Sequence, residues 1–277
     1  MSGSTLVSTP ELSQNLAAWR VFDCRHDLAK PELGERQYRE AHIPGAAFAH
    51  LDRDLSAPKT GRNGRHPLPD PAVFTAWLGR QGLKPEDQVV CHDAGTGAMA
   101  ARLWWMLRWV GHEAVAVLDG GLAKWLRESR PVDAVVPRFI PTRYSARLRE
   151  DAALTVDAVQ NNLQKLLLVD ARAPARYRGE QEPIDPVAGR IPGALNRFNS
   201  ENLSADGLFK TSKELKVEFS KLLGATSPTQ VVNYCGSGVA ACHNLLAMEI
   251  AGLPGGKLYA GSWSEWSADP ARPRERG

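Results

Sequence analysis

Cys235 lies in a run of small residues between a predicted strand and a predicted helix. Residues 231–234 begin with two valines and read as a buried strand, and a helix is predicted over residues 239–251. Backbone N–H groups at the start of a helix favour an anion, and Gly236 and Gly238 let the backbone close around one. The types and spacing of these residues therefore predict a thiolate nucleophile at Cys235.

The ordinary alternative for Cys235 is a buried structural cysteine, and spacing tests three other chemistries. A phosphatase loop needs arginine at the sixth position after the cysteine, where this chain has Ala241. A papain-like protease needs a second cysteine at the position of Gly238. Cys242 and His243 follow too far along the predicted helix to bind one metal ion together with Cys235. The spacing thus favours a nucleophile and predicts no metal site.

The elements around this loop occur twice in the chain. Four short motifs recur in the same order, at offsets of 141–148 residues. They pair residues 21–25 with 168–172, 43–46 with 191–194, 88–90 with 230–232, and Gly120 and Trp125 with Gly261 and Trp266. The ordered series indicates two copies of one domain. Each copy alternates predicted strands and helices, which predicts an α/β fold with a parallel sheet flanked by helices.

The boundary between the copies is predicted in a proline-containing stretch of mixed charge without periodicity. We interpret residues 134–152 as a linker, residues 1–133 as the N-terminal domain and residues 153–277 as the C-terminal domain. Besides the helix after Cys235, helices are predicted over residues 71–82, 98–110 and 212–223. The tail beyond Trp266 contains prolines and several arginines, and we expect it to be loosely held.

The repeat predicts that only the second copy is catalytic. Aligning Val90 with Val232 places Asp93 opposite Cys235. The first copy keeps a glycine-containing loop at this position but has no sulfur there. We therefore expect an inactive N-terminal domain and an active C-terminal one.

Bulk properties narrow the class of protein. The formal net charge of +3 is too small to predict nucleic-acid binding. No apolar run approaches the roughly 20 residues of a membrane helix, and the N-terminus does not resemble a signal peptide. The four cysteines have no disulfide-framework spacing, so we expect reduced thiols and a cytoplasmic protein.

Three further motifs complete a family resemblance. They are residues 41–46 (Ala-His-Ile-Pro-Gly-Ala), 118–122 (Leu-Asp-Gly-Gly-Leu) and 259–266 (Tyr-Ala-Gly-Ser-Trp-Ser-Glu-Trp). Together with the duplicated motifs and the Cys235 loop, they make nearly the whole chain resemble two-domain rhodanese-type sulfurtransferases. The resemblance implies tandem rhodanese-like domains and transfer of a sulfane sulfur through a persulfide on Cys235. It implies a small anionic sulfur donor, a thiol or cyanide acceptor, and no metal or organic cofactor.

The loop sequence bears on the identity of the donor. Thiosulfate-type members tend to have Cys-Arg-Lys-Gly, whereas the mercaptopyruvate type resembles Cys-Gly-Ser-Gly, as in residues 235–238. Ala240 stands where that type usually has threonine. The resemblance favours 3-mercaptopyruvate over thiosulfate, with Gly236, Gly238, Val239 and Ala240 as donor-binding positions. A thiosulfate sulfurtransferase, or a persulfide carrier with little turnover of small donors, remains the alternative.

The mercaptopyruvate type also has a proposed Ser-His-Asp relay for the proton of the substrate thiol. Its residues match Ser237, His66 in a His-Pro-Leu-Pro motif, and Asp52. A histidine oriented by a carboxylate can move a proton through a hydroxyl, so the chemistry is reasonable. The alternatives are a turn serine, a surface histidine and a solvated carboxylate.

Arginine is the residue expected for the donor anion, because a guanidinium binds a carboxylate with two parallel hydrogen bonds. Arg176 matches the substrate arginine of the family. The mercaptopyruvate type adds a second arginine soon after a Glu-Pro pair, but Ile184 follows that pair here. Arg190 is a candidate replacement, or else forms a surface ion pair. Arg172 is interpreted as structural, because Arg25 repeats it in the first copy.

Overall fold

A computed structural model describes residues 5–277, which form two compact units. The first unit contains the described residues up to Ala57 together with Pro69–Arg149. The second contains Pro58–Leu68 together with Glu150–Gly277. A short segment from the first half of the sequence therefore belongs to the unit built by the second half, and it carries His66 into that unit.

The first unit is a parallel sheet with helices between its strands. Its strands are β1 (Leu6–Val7), β2 (Arg20–Asp23), β3 (Ala47–Phe48), β4 (Val89–His92) and β5 (Val115–Leu118). Its helices are α1 (Thr9–Asn15), α2 (Glu32–Glu40), α3 (Pro71–Arg80), α4 (Ala98–Trp109) and α5 (Gly121–Arg127). The strand order is β1-β5-β4-β2-β3, and every pairing is parallel.

The second unit repeats this plan. Its strands are β6 (Leu167–Asp170), β7 (Leu195–Asn196), β8 (Val231–Tyr234) and β9 (Lys257–Leu258). Its α-helices are α6 (Val156–Gln160), α7 (Pro174–Tyr177), α8 (Ser212–Leu223), α9 (Ala240–Ile250) and α10 (Ser262–Trp266). Short 3-10 helices cover Glu150–Ala152, Asn199–Asn202 and Pro228–Gln230. The parallel strand order β7-β6-β8-β9 matches β3-β2-β4-β5 of the first unit.

The outer strand of the first sheet has only a remnant in the second. Where β1 pairs with β5, the second unit has a single parallel bridge between Ala153 and Leu258, a residue of β9. The shared order and direction of the strands confirm the predicted duplicated α/β fold.

The repeated Asp-x-Arg motif pins each strand end to a neighbouring loop. Asp23 pairs with Arg25, whose guanidinium also donates to the carbonyl of Ala41 at 2.7 Å. Asp170 pairs with Arg172 at 2.7 Å in the same way, and both side chains are buried. Each buried charge is thus compensated by its partner, which is the condition for keeping it in the interior. The duplicated motif therefore performs a structural task in both units.

Helix ends follow local capping signals. Thr211 forms a capping box with Glu214 at the start of α8, and Asp70 accepts from the N–H of Ala72 at the start of α3. The prediction for residues 212–223 is confirmed, and the other three predicted helices end within two residues of the observed ones. Among residues 5–277, the helices are too short or too polar to cross a membrane.

The expectation of a loosely held tail is wrong. The backbone of Glu275 forms an antiparallel bridge with Arg190, and its carboxylate accepts from the N–H of Gly193 at 2.9 Å. The indole of Trp266 donates to the carbonyl of Pro273 at 2.8 Å. The bonds of Glu275 join residues more than 80 positions apart, so composition could not reveal them.

Candidate active site

Cys235 is the first residue after β8, in the loop that leads to α9. Its sulfur accepts from the backbone N–H groups of Gly238 at 3.1 Å and of Ser237 at 3.4 Å. Only 3% of the residue is exposed. Two N–H donors aimed at one sulfur hold it in one position, as in a site built for an anion. This geometry is compatible with a nucleophile, and the catalytic role of Cys235 stays a prediction.

The Cys235 loop is hydrogen-bonded to the first three residues of α10, Ser262 to Ser264. The hydroxyl of Ser262 accepts a hydrogen bond from the backbone N–H of Cys235 at 3.1 Å. The backbone N–H of Trp263 donates to the carbonyl of Cys235 at 3.0 Å. Ser264 donates to the carbonyl of Gly236 at 3.0 Å. Ser262 has a φ of 56°, a left-handed conformation that is strained for a residue with a side chain. The strained residue is therefore the one whose hydroxyl accepts the hydrogen bond from the N–H of Cys235.

Gly238 is required by both conformation and space. Its φ is +75°, and a β-carbon there would lie 2.4 Å from the carbonyl oxygen of Ala260. The backbone oxygen cannot move aside as a side-chain tip can. Only glycine therefore allows the N–H of residue 238 to reach the sulfur of Cys235.

The first unit contains the same loop built around a carboxylate. Asp93 follows β4 as Cys235 follows β8, and 3% of it is exposed. Its carboxylate accepts hydrogen bonds from four backbone N–H groups, those of Gly95, Gly97, Met99 and Ala100. The loop geometry is thus an anion cradle in both copies, and only the second copy holds a sulfur there.

Ser237 and His66 meet in the second unit. The hydroxyl of Ser237 lies 2.8 Å from Nδ1 of His66, and both residues are buried. Ser237 is also one of the two N–H donors to the sulfur of Cys235. A hydroxyl and an imidazole in contact beside a nucleophile can exchange a proton with a ligand bound there.

Asp52, the third predicted relay residue, belongs to the first unit. Its backbone N–H donates to Nδ1 of His50 at 3.1 Å, and its carboxylate lies 3.8 Å from Nε2 of His26. A role for Asp52 in a proton relay stays a prediction.

Arg176, in α7, is held at the Cys235 loop by two carboxylates. It pairs with Glu182 at 2.6 Å and with Asp185 at 3.3 Å. Burial by itself would raise the pKa of Glu182, but hydrogen bonds from Arg176 and from the backbone of Asp185 lower it below its ordinary value. The guanidinium of Arg176 approaches Gly236, where a β-carbon would lie 3.4 Å from Nη2. Arg176 thus lies beside the Cys235 loop, and its role in binding a donor anion stays a prediction.

Arg65 also reaches the loop, and the sequence did not single it out. A β-carbon on Gly236 would lie 2.6 Å from its Nη2, and its other terminal nitrogen pairs with Asp185. The backbone N–H of Arg65 donates to the hydroxyl of Ser264 at 3.1 Å. Its position directly before His66 is the one signal that could have found it.

The side chain of Arg190 contacts the C-terminal tail. Its guanidinium pairs with the carboxylate of Glu275, donates to the carbonyl of Gly277, and lies 4.5 Å from the ring centre of Tyr177. None of its contacts in the described part of the chain is with residues 235–240. Its observed contacts fix the tail, and a role in donor binding stays a prediction.

The remaining predicted positions surround the start of α9. Val239, 5% exposed, immediately precedes the helix, and Ala240 is its first residue. The helix has eleven residues, so its N-terminal N–H groups contribute positive potential next to the sulfur. Binding of a ligand by Val239 and Ala240 stays a prediction.

Two groups of side chains within residues 5–277 have spacings that would suit a metal ion, both in the first unit. They are His26, His50 and Asp52, and Glu32, Glu35 and His50, with ligand atoms within 4.8 Å of one another in each group. Neither group includes a residue of the Cys235 loop.

Comparison with protein families identifies the repeated unit. The family model for the rhodanese-like domain matches residues 8–128 and again residues 155–269.

Whole-chain relatives carry two kinds of name. A protein of Pseudomonas aeruginosa named "Probable 3-mercaptopyruvate sulfurtransferase" is 47% identical, with 100% of each chain covered. The human 3-mercaptopyruvate sulfurtransferase is 38% identical over 88% of this chain and 84% of that one. The rat thiosulfate sulfurtransferase is 34% identical over 94% of this chain and 91% of that one.

Solved structures agree with these relatives. The crystal structure of SseA from Escherichia coli, described as a 3-mercaptopyruvate sulfotransferase, superimposes with a TM-score of 0.79 and 30% identity, covering 94% of this chain and 99% of that one. The 3-mercaptopyruvate sulfurtransferase from Leishmania major has a TM-score of 0.84 and 29% identity, covering 96% of this chain and 75% of that one.

Proposed function

Because the chain belongs to the rhodanese-like family and is a sulfurtransferase, we propose that it takes the thiol sulfur of 3-mercaptopyruvate onto Cys235, where it becomes the sulfane sulfur of a persulfide, and passes it to a thiol or to cyanide. The observation that carries this proposal is the 2.8 Å contact between Ser237 and His66 beside the sulfur of Cys235. A donor with a thiol proton needs such a pair, whereas thiosulfate has no proton to move.

The first step transfers sulfur from carbon to Cys235. The Cys235 thiolate attacks the sulfur of the donor, an S–S bond forms, and the C–S bond breaks. The electron pair of that bond leaves with the carbon as the enolate of pyruvate. The thiol proton passes through Ser237 and His66 and protonates the enolate, which gives pyruvate and a Cys235 persulfide.

The second step regenerates the enzyme. A thiolate or cyanide attacks the outer sulfur of the persulfide, a new bond to sulfur forms, and the S–S bond to Cys235 breaks. The leaving group is the Cys235 thiolate, which again accepts hydrogen bonds from the N–H groups of Ser237 and Gly238. The loop thus serves as the anion site at the start and at the end of the cycle.

A thiosulfate sulfurtransferase is the second candidate, favoured by the relative of that name and by Ile184 after the Glu182-Pro183 pair. In that case the S–S bond of thiosulfate breaks and sulfite leaves. A persulfide carrier for a partner protein is the third. The proposal includes a cytoplasmic location, since a reactive thiol and three further cysteine thiols suit a reducing compartment.

Donor kinetics decide among these candidates. We expect a larger kcat/KM for 3-mercaptopyruvate than for thiosulfate, with cyanide and with a dithiol as acceptors, and no activity in Cys235→Ser. Intact mass after donor treatment should show one added sulfur on the wild-type chain alone. A higher kcat/KM for thiosulfate would establish the second candidate. A stable added sulfur without steady-state turnover would establish the carrier.

A further inference from the structure

Ser264 forms hydrogen bonds with the residue before each member of the Ser237–His66 contact. Its backbone N–H donates to the carbonyl of Gly236 at 3.0 Å, and its hydroxyl accepts from the backbone N–H of Arg65 at 3.1 Å. Gly236 precedes Ser237 in the chain, and Arg65 precedes His66. The two segments that meet at the 2.8 Å contact are therefore both attached to one residue of α10.

The hydroxyl of Ser264 is oriented to accept the bond from Arg65. It has one proton, which it donates to the carbonyl of Gly261 at 3.1 Å. Its lone pairs are thereby left for the N–H of Arg65. A side chain without a hydroxyl would leave this half-buried N–H without its acceptor, and an unsatisfied donor is costly.

Gly64 brings the chain close enough to α10 for this bond. Its φ is +81°, and a β-carbon there would lie 2.7 Å from the carbonyl oxygen of Gly261 and 3.2 Å from Oγ of Ser264. Both the left-handed conformation and the short distance to a backbone atom require glycine. Gly61 has nearly the same φ, +82°, but no atom of the described residues lies within 4 Å of a β-carbon there. The backbone at residue 64 is thus packed directly against the start of α10.

We propose that Ser264 is a positioning residue for His66, because its hydroxyl and its backbone N–H together set the imidazole at hydrogen-bond distance from Ser237. The proposal rests on the proposed function for the step that this contact serves, the transfer of the thiol proton of 3-mercaptopyruvate. Proton transfer between two groups requires a separation of about 2.6–3.2 Å, so a small displacement of residues 58–68 would interrupt it. Ser264 acts on the reaction only through this contact.

Two variants of equal shape isolate the hydroxyl of Ser264. Threonine and valine have the same branched side chain in this half-buried position, but only threonine keeps the oxygen. With 3-mercaptopyruvate we expect Ser264→Val to lower kcat roughly tenfold, the effect of one lost hydrogen bond of average strength, with a smaller change in KM. Ser264→Thr should retain most of the wild-type kcat. Equal losses in the two variants would overturn the proposal, because the hydroxyl would then have no role.

The imidazole of His66 gives a readout that does not depend on turnover. Its ring nitrogens can be followed by ¹⁵N NMR at a series of pH values, with His66→Gln to assign the signals. We expect the Nδ1 signal to change in Ser264→Val in the same direction as in Ser237→Ala, because both variants break the same contact. The signal should keep its wild-type position in Ser264→Thr. A wild-type signal in Ser264→Val would reject the positioning role.

A double variant tests whether Ser264 acts through Ser237 and His66. In the Ser237→Ala background the contact is already lost, so Ser264→Val should have little further effect on kcat. A full additional tenfold fall would mean that Ser264 acts by another route, which contradicts the proposal.

Gly64→Ala disturbs the same attachment from the other segment, and Gly61→Ala is its matched control. Both substitutions place a side chain at a left-handed φ, but only the one at residue 64 meets the backbone of Gly261. Gly64→Ala should lower kcat with 3-mercaptopyruvate and shift the His66 signal, whereas Gly61→Ala should leave both near their wild-type values. Equal effects of the two variants would mean that packing against α10 does not position His66.

Donor kinetics and the ring signal separate the positioning role from the proposed function. If wild-type kinetics favour thiosulfate while the His66 signal still depends on the hydroxyl of Ser264, the proposed function fails and the positioning role stands. If 3-mercaptopyruvate is preferred and the signal is the same in Ser264→Thr and Ser264→Val, the positioning role fails and the proposed function stands.

Discussion

The hydroxyl of Ser237 lies 2.8 Å from Nδ1 of His66, although the two residues are 171 positions apart in the chain. The contact forms because Pro58–Leu68 belongs to the second unit. Ser237 also donates its N–H to Cys235, so one residue joins the anion cradle to the imidazole. The proposed proton path and a backbone donor to the sulfur are therefore on the same loop.

Ser237→Ala should separate the two donors. The backbone N–H of residue 237 remains, so the cradle of Cys235 stays intact, but the path to His66 is lost. We expect kcat with 3-mercaptopyruvate to fall roughly 100-fold, within the usual contribution of acid–base catalysis, while kcat with thiosulfate changes little. Ser227→Ala, at an exposed serine of the same unit, is the control. Equal losses with both donors would show that the hydroxyl serves structure alone.

Gly238→Ala should destabilise the second unit and abolish activity. The left-handed φ alone costs about 1–2 kcal/mol with a side chain, and the overlap with the carbonyl of Ala260 adds to it. Gly252→Ala is a matched control, since Gly252 has a φ of +70° with nothing within 4 Å of a β-carbon. Urea unfolding should show a clearly larger loss of free energy for Gly238→Ala. Similar losses would mean that the contact with Ala260 relaxes freely.

Glu182 should contribute stability that is lost in acid. Its pKa is lowered in the folded state, so its contribution is present above the unfolded pKa of about 4.3 and disappears as the pH falls through the folded value. Glu182→Gln should lower stability at pH 7 and flatten the dependence on pH below about 4.3. Thermal unfolding at a series of pH values measures this.

The control for Glu182 is Glu180→Gln. The pKa of Glu180 is also lowered, by its hydrogen bond with Arg178, but both side chains are largely exposed and solvent screens the pair. We expect little change at pH 7. If the two variants behave alike, burial of Glu182 does not govern its contribution.

Asp93→Asn should show that the first unit depends on its own anion cradle. The amide keeps one oxygen but turns an NH₂ group toward two of the four backbone N–H donors. We expect a loss of about 1–3 kcal/mol, the cost of leaving buried donors without an acceptor. Asp27→Asn is the control, because the carboxylate of Asp27 accepts hydrogen bonds from two backbone N–H groups in an exposed loop. A loss at Asp93 no larger than at Asp27 would contradict this interpretation.

The local parts of the structure were predictable because they depend on short-range physics. Strands, helices and the strand–loop–helix placement of Cys235 follow from hydrophobic periodicity, capping residues and glycines that lie within about ten residues of one another. The duplication was visible because both sheets need the same motifs at the same points. The placement of Asp93 opposite Cys235 followed from that alignment and identified the copy without a thiol at this loop position.

The amino-acid sequence by itself thus determined the duplicated α/β fold, and it predicted Cys235 as the nucleophile and Arg176 as a donor-binding arginine. Only the tertiary structure decided which second arginine stands over Gly236. Arg190 and Arg65 are both candidates by charge, but Arg190 is neutralised by Glu275 in the tail, whereas Asp185 draws Arg65 to the loop. Such pairings join residues more than 80 positions apart, and no local pattern encodes which carboxylate a given guanidinium will meet.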